Sequence, residues 1–441
     1  MVATTYHHAR STQKPLPMPQ QQPPRTEDTD IAVVGGGSAG VAAAVAAARC
    51  GARVLLLERY GFLGGAATQS LVLTYDGFLY RRPQPEWAVG GIGREFLGRL
   101  SRLGGAVDPG LSPNGNWVIP FAPEASKRAL DLMLREAGVV CRLHALVTGA
   151  RLRGGRIQRL VAHDHAGAFE VRARAYVDAS GEADLAAVVG VPMLHAVGPR
   201  YAASLCARIG GVPAALRVDR EMLGAVAREA LAQQPGAALR AHGGFVLRIP
   251  GSDDLWWMGI DVVTDGLGSA SLSEAEQRGR EAAWLFIETL RGHPGFERAH
   301  LVATGPQLGI RETRHPQARH MISEADALAG RRAATGVARA AWNVERHDVP
   351  GHARIAAIGG EGWFDIPLDA LRAEGVDNLW LAGRTVGADR GAYGSLRVMG
   401  TAFASGHAAG VAAALALQGR RAAEVSAEAV RERLRLQGAI V

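Results

Sequence analysis

Two short runs without a polar residue, Ile31–Val34 and Val54–Leu57, read as strands buried on both faces, as in a parallel sheet. Between them an Ala-rich stretch from Ser38 to Cys50 reads as a helix that Gly51 stops. Pro123, at a favoured first helical position, opens another helix. Leu130, Met133, Leu134 and Ala137 make its buried stripe and Gly138 ends it. Strand signals follow at Val139–Leu143, Leu146–Leu152, Ile157–Ala162 and Phe169–Val177, and Leu185 to Gly190 reads as helical. Residues 76–122, rich in Gly, Pro and aromatics, lack periodicity and are expected to form an excursion covering a substrate. From 191 to 374 aromatic residues cluster and helices alternate with short strands. The chain then returns to a buried strand, Asn378–Ala382, an apolar helix from Ala402 to Leu417, and a terminal surface helix from Ala423 to about Gln437. The pattern predicts an α/β part over 28–190, an α+β substrate-binding part over 191–374, and a return to α/β over 375–441. A Pro- and Gln-rich tail over 1–27 is expected to be disordered.

Composition narrows the class. A hydrophobic share of 48% and a charged share of 21% are those of a globular protein, and 441 residues suffice for two or three domains. The formal charge of +7 comes almost wholly from scattered arginines, Lys14 and Lys127 being the lysines. Without basic runs interleaved with aromatics, no nucleic-acid partner is expected. Cys50, Cys141 and Cys206 stand far apart, which argues against a disulfide framework, a zinc site or an iron–sulfur cluster. No apolar leader or membrane span is read, so a cytoplasmic location is the expectation.

The chemistry begins where the first strand ends. Asp30 to Gly40 contains Gly35-x-Gly37-x-x-Gly40 between a strand and a helix. Gly35 permits the tight turn, Gly37 lets backbone amides approach a pyrophosphate, and Gly40 lets helix and strand pack closely. Free amides at the start of that helix then hold a diphosphate. Glu58, 23 residues beyond Gly35, closes the second strand at the spacing expected of a ribose-binding acid. An acid there suits a free 2′-hydroxyl, hence FAD or NAD. The Gly64-Gly65-Ala66-Ala67 loop directly after it suggests a backbone passing close to a bulky ligand.

Distant segments add to this. Asp30–Gly40, Glu58-Arg59 with Leu63 to Thr68, Val177 to Asp184, Gly309 to Arg314, Phe364 to Pro367 and Asn378 through Gly410 together resemble the FAD-dependent oxidoreductase family with the glutathione-reductase-type FAD fold. The resemblance covers nearly everything after residue 28. It implies FAD as the cofactor and a Rossmann-like FAD-binding domain split in sequence, with a substrate domain between the halves. It also implies that Gly35, Gly37, Ser38 and Gly40 hold the diphosphate, that Glu58, followed by Arg59, holds the ribose, and that Gly65 and Ala66 run beside diphosphate and flavin. Val147 would set its backbone against the adenine, and Ala179-Ser180-Gly181 would form a second turn on the cofactor. Gly383 and Arg384 stand where many relatives carry Gly-Asp for the ribityl and diphosphate groups. Gly400 and Thr401, opening the last apolar helix, would aim amides at the flavin N1–C2=O edge.

For the reaction, a base and an anion-holding group must face the flavin. Arg311, Arg314 and His347 are the leading candidates, with His315, Tyr393 and Arg397 behind them. The competing reading of Arg311-Glu312-x-Arg314 is a salt-bridge set bracing the junction between the two parts. Glu345, two residues before His347, shares its side if the segment is extended. The expected function is hydride transfer from a small organic substrate to FAD, as in a dehydrogenase or oxidase, with no metal. A flavin monooxygenase or halogenase-like enzyme is one alternative; Gly362-Trp363-Phe364-Asp365-Ile366-Pro367 bears on it, but no core lysine accompanies it. A non-catalytic FAD-stabilised binding protein is the other.

Overall fold

The computed structural model describes residues 25–105, 108–112, 114–194, 200–419 and 421–441. Its centre is a five-stranded parallel sheet in the order Leu379–Leu381, Ala175–Asp178, Ile31–Val34, Val54–Leu57, Val140–Arg142. The first four of these strands are buried throughout, which is why they appear in sequence as unbroken apolar runs. Val33 pairs with Leu56 on one side and Val177 on the other, so the strands finish together along one edge at Val34, Leu57, Asp178 and Leu381. Ligands in open parallel sheets bind at that carboxyl edge.

Two helices cover one face. Ser38–Arg49 follows the first strand, and Met399–Ala416 lies against it from the far end of the chain. Their backbones touch: a Cβ on Gly406 would overlap Ala39 O, and one on Gly410 would overlap Ala43 O. The opposite face packs on an antiparallel meander, Leu146–Arg153, Arg156–Asp164 and Gly167–Arg172, through Ala32, Leu55, Val147, Leu160, Phe169 and Leu379.

Several expectations are corrected here. Most of the N-terminal tail, residues 1–24, lies outside the described residues, but Arg25–Asp28 is a strand pairing parallel with Phe169–Arg172. The run Phe169–Val177 is two strands, not one. Gly167–Arg172 closes the meander, then Arg174 N and Ala175 N donate to Asp30 O, and Ala175–Asp178 enters the parallel sheet. The stretch 76–122 contains a helix, Gly91–Leu100, burying Ile92, Phe96, Leu97 and Leu100. Its glycine-rich start masks an otherwise helical spacing.

The middle of the chain builds an antiparallel sheet in the order Phe245–Arg248, Leu255–Val262, Ala203–Gly210, His300–Thr304. Ala203, Leu205, Ala207 and Ile209 face the helices Arg220–Gln233 and Ser269–Leu290, where Trp257 stacks on Phe286 at 3.8 Å. A bulge sets Met258 and Gly259 against the single residue Cys206. That extra residue shifts the alternation, so Trp256, Met258 and Asp261 all end on the face away from the helices. Among the described residues no single helix is long and apolar enough to cross a membrane.

Candidate active site

One long cleft runs from the carboxyl edge of the parallel sheet to the free face of the antiparallel sheet. It begins at the glycine turn. Gly35 has φ +101°, and a Cβ there would strike Ala179 O. A Cβ on Gly40 would overlap Gly35 O, so this glycine sits beneath the turn as the contact that lets helix meet strand. The first intrahelical bond is Val41 N to Gly37 O, 3.0 Å, which leaves the amides of Ser38, Ala39 and Gly40 without a helical acceptor. Glu58 organises the turn: Gly36 N donates to its Oε2 at 2.6 Å and Tyr60 N to its Oε1 at 2.9 Å. Burial pushes its carboxyl up from the ordinary value, and those two amides oppose the shift. Gly64 N donates to Gly36 O at 2.9 Å, bringing Gly65 close beside Gly37; a Cβ on Gly65 would lie 3.0 Å from Gly37 Cα.

A ring of charge follows. Arg59 pairs with Glu182 at 3.1 Å and Asp184 at 3.5 Å, Arg314 with Asp184 at 3.0 Å, and Arg384 with Glu182. Three guanidiniums therefore share two carboxylates. Among the described residues Arg384 Nη1 has no hydrogen-bond partner. Ser180 spends its hydroxyl on Asp178 Oδ1, 2.7 Å, and accepts from Asp184 N, 2.9 Å. Asp178, pushed up to about 6 by burial, also accepts from Ser180 N and Ala186 N and so shapes the second turn. Gly181, Gly383 and Val147 line the cleft beside these groups.

At its other end the cleft is lined by Trp256, Met258, Phe245 and Trp342, with charged groups set among them. Arg311 is buried, donating to Ala202 O and to Ser204 Oγ at 2.8 Å, and lies 3.6 Å from Asp261. Arg240 holds the same Asp261 at 2.7 Å. Burial pulls Arg311 down to about 10, still cationic at neutral pH. His347 Nε2 lies 3.3 Å from Glu345 Oε1, so the expected alternation does place both on one side. Burial and the nearby Arg311 push His347 down to about 4, leaving it neutral. Burial opposes the charge on Glu345, but His347, Arg397 and the Trp342 indole N–H (3.1 Å) outweigh it and hold the carboxyl below the ordinary range. Asp76, from the strand Thr74–Asp76, joins this group. It opens the segment 76–122, whose lack of periodicity gives no sign in sequence of a strand ending there.

Some sequence candidates take other positions. Arg314 does not line the cleft; its guanidinium braces Asp184 and Glu182 O, 2.9 Å. His315 is turned to Glu312, 3.0 Å, and the Tyr393 hydroxyl donates to Arg311 O, 2.7 Å, so both stand behind the wall. Glu312 is held by Arg390, 2.9 Å, and Tyr201 N, 2.8 Å. The bracing reading of Arg311-Glu312-x-Arg314 thus describes Glu312 and Arg314, whereas Arg311 braces and also faces the cleft. Gly400 packs on the Gly77 backbone, and Thr401 is buried with no partner for its Oγ1 among the described residues; Val398, Met399 and Ala402 of that first helical turn are the residues lining the cleft. Trp363 is clasped by Arg332 and Arg339, 3.0 and 4.0 Å from its ring centre, outside the cleft.

The sequence pattern of the family described as FAD dependent oxidoreductase matches residues 30–434. The chain belongs to that family. This FAD-dependent oxidoreductase is an enzyme, and FAD is its cofactor. Solved structures similar to it include a geranylgeranyl bacteriochlorophyll reductase-like protein from Thermoplasma acidophilum, 13% identical, covering 93% of this chain and 83% of that one at a TM-score of 0.47. Another is p-nitrophenol 4-monooxygenase from Pseudomonas putida, 12% identical, covering 93% and 84% at 0.45. A third is a variant of a flavin-dependent brominase, 14% identical, covering 92% and 84% at 0.45.

The residues present fit a dinucleotide. The Gly37–Gly65 approach leaves a channel that side chains would fill, three helix-start amides lack acceptors, and Arg384 Nη1 is an unused donor beside a ring with one surplus positive charge. Each of these suits a diphosphate. Lys127, on the helix Pro123–Glu136, pairs with Glu124 at 2.7 Å, and no lysine among the described residues lines the cleft of this oxidoreductase.

Proposed function

We propose that this enzyme oxidises a small polar organic substrate by hydride transfer, as a dehydrogenase or oxidase. When bound, FAD supplies the two-electron acceptor. The chain's own residues would divide the work along the cleft. Gly35, Gly37, Ser38, Gly65 and Ala66 would carry the diphosphate side by backbone, with Arg59 and Arg384 supplying charge. Glu58 would take the ribose, Val147 the adenine, and Ser180, Gly181 and Gly383 the turn beyond. In this reading the FAD domain is Rossmann-like and split between 28–190 and 375–441, and 191–374 binds substrate. The helix start at Val398–Ala402, Gly400 and Thr401 included, would place its dipole against developing negative charge.

The observation that carries the reading is the fixed charge in an otherwise apolar pocket: Arg311 is held by Ser204 and Asp261, and Glu345 by His347, Trp342 and Arg397. Charges held by protein partners reorganise little when substrate arrives, and they orient a polar molecule rather than an apolar one. Arg311 would hold the substrate's electronegative atom, and His347 would position it.

The test is the visible spectrum of the purified protein under anaerobic conditions with NADH, NADPH and a panel of alcohols, amines and ketosugars. Bleaching by one organic compound class without a nicotinamide is the expected result. Bleaching by NADPH alone would overturn the reading in favour of a monooxygenase or reductase. Oxygen consumption with the bleaching compound would then identify an oxidase.

A further inference from the structure

Three groups at the substrate end of the cleft could accept a proton: His347, Glu345 and Asp76. Glu345 is already spoken for. His347 lies 3.3 Å from one oxygen, the Trp342 indole N–H donates to the other at 3.1 Å, and Arg397 adds 3.4 Å. A carboxylate with that many donors is a weak base. His347 is enclosed and faces the cations Arg311 and Arg397, so a second positive charge on it is opposed. Asp76 differs from both. Its Oδ1 is shielded from solvent, and among the described residues it has no hydrogen-bond partner and no arginine forms a close pair with it. It ends the strand Thr74–Asp76 and is followed by Gly77, φ +80°, whose backbone touches the start of the Met399–Ala416 helix. A Cβ on Gly400 would lie 2.7 Å from Asp76 O. The backbone of Asp76 is thus fixed against the helix start, and its side chain lines the same end of the cleft as Glu345 and His347, near enough to Glu345 and Arg397 to feel their charges.

We propose that the Asp76 carboxylate takes the substrate's proton as the hydride leaves, making it the catalytic base. The proposal rests on the hydride-transfer reading given above. In the step, an O–H or N–H bond of the substrate breaks and its proton passes to Asp76. The electron pair left on that atom forms the C=O or C=N bond. The adjacent C–H hydrogen departs with its two electrons to bound FAD, the oxidant, so the substrate loses two electrons and two hydrogens.

The surroundings keep Asp76 suited to this work. Burial, and then the negative charge of Glu345, push its carboxyl up to about 7, against an opposing hydrogen bond from Thr74 and the charge of Arg397. The paired strand Trp117–Pro120 and the helix start Val398–Ala402 bring no titratable side chain to it; the charges that act on it are those of Glu345 and Arg397, while His347 and Arg311 line the same end of the cleft. A base that titrates near the working pH both accepts and releases a proton readily.

The experiment compares FAD-loaded wild type with Asp76→Asn and Asp76→Glu. First, the flavin midpoint potential is titrated from about pH 5 to 9 without substrate. A break in the pH dependence near neutrality in the wild type that is missing in Asp76→Asn supports a carboxyl beside the reacting end of the cofactor; identical curves overturn it. Second, anaerobic reduction is followed with whichever compound bleaches the wild type. The expected loss in Asp76→Asn is roughly 100- to 10,000-fold, with FAD retained, partial recovery in Asp76→Glu, and no rise of rate with pH. A rate within twofold of wild type overturns the assignment of Asp76 alone. A wild type bleached by no compound overturns the hydride reading itself, and is told apart because there is then no wild-type rate to lose.

Discussion

Glu58 commits both carboxylate oxygens to backbone amides before any ribose hydroxyl arrives, so its first task is to hold the glycine turn. Glu58→Gln sets an amide NH₂ against one of those N–H groups. It should cost about 1–3 kcal/mol in urea unfolding and weaken FAD retention on dialysis. Arg311→Ala strips Ser204, Ala202 O and Asp261 of a buried donor, although Arg240 still neutralises Asp261. We expect a loss of about 3 kcal/mol and slower substrate-driven flavin reduction with FAD retained. His347→Ala should slow reduction too; a wild-type rate in either variant would remove that residue from the site. Asp76 adds a pH signature. Its folded pKa, about 7, exceeds the ordinary 3.8, so the folded state binds the proton more tightly and this residue's effect on stability worsens as pH rises from about 4 to 7. Asp76→Asn should therefore unfold at higher denaturant than wild type at pH 8, with the difference closing near pH 4. The buried neutral histidines His347 and His407, both pushed down to about 4 from 6.5 chiefly by burial, act in the opposite sense. Below pH 6.5 the unfolded chain takes up their protons first, and stability falls.

Among the elements, the contact between Ser38–Arg49 and Met399–Ala416 is the tightest test of the fold. Gly406 and Gly410 leave no room for a side chain over Ala39 and Ala43. Gly406→Val should force the helices apart at a cost of about 1–3 kcal/mol or more, and the melting temperature should fall with loss of bound FAD, since the same first helix opens at the glycine cradle. This interface also shows what local pattern can and cannot convey. The Ala-rich composition of both helices announces close packing, but nothing local says that they pack on each other across more than 350 residues. The Pro123–Glu136 helix was legible because its opening proline, its buried stripe and the terminating Gly138 are all local. Gly91–Leu100 was not, because glycines at its start hide the spacing of Ile92, Phe96 and Leu100. The split at Ala173–Arg174 was equally hidden, because the alternation of Phe169, Val171, Ala173, Ala175 and Val177 with Glu170, Arg172 and Arg174 runs unbroken across it and gives no sign that its two ends belong to different sheets.

Across the whole molecule, the site follows the same division. The glycine turn is written in one short motif and its acid follows at a fixed spacing, so the turn at Gly35 and Gly37 and the placement of Glu58 beside it are legible locally, and alternation was enough to join Glu345 to His347. Asp76, Asp261 and Arg240 come from three separate strands or loops and acquire meaning only where the sheets meet. In the proposed reading FAD touches both ends of the chain, and its binding should be measurable as linkage. With free FAD at 100 times its dissociation constant, the enzyme should gain about 2.7 kcal/mol over the stripped protein, and removal of FAD should lower the thermal midpoint in proportion. A further consequence concerns biosynthesis. The strand Ala175–Asp178 forms one edge of the parallel sheet until Leu379–Leu381 pairs with it. On the ribosome its partner emerges roughly 200 residues later, on the order of 10–40 s at about 5–20 residues per second. For that interval the nascent chain carries an apolar, unpaired strand edge, so yield of soluble enzyme should depend on translation speed, growth temperature and chaperone supply more than its finished stability would suggest.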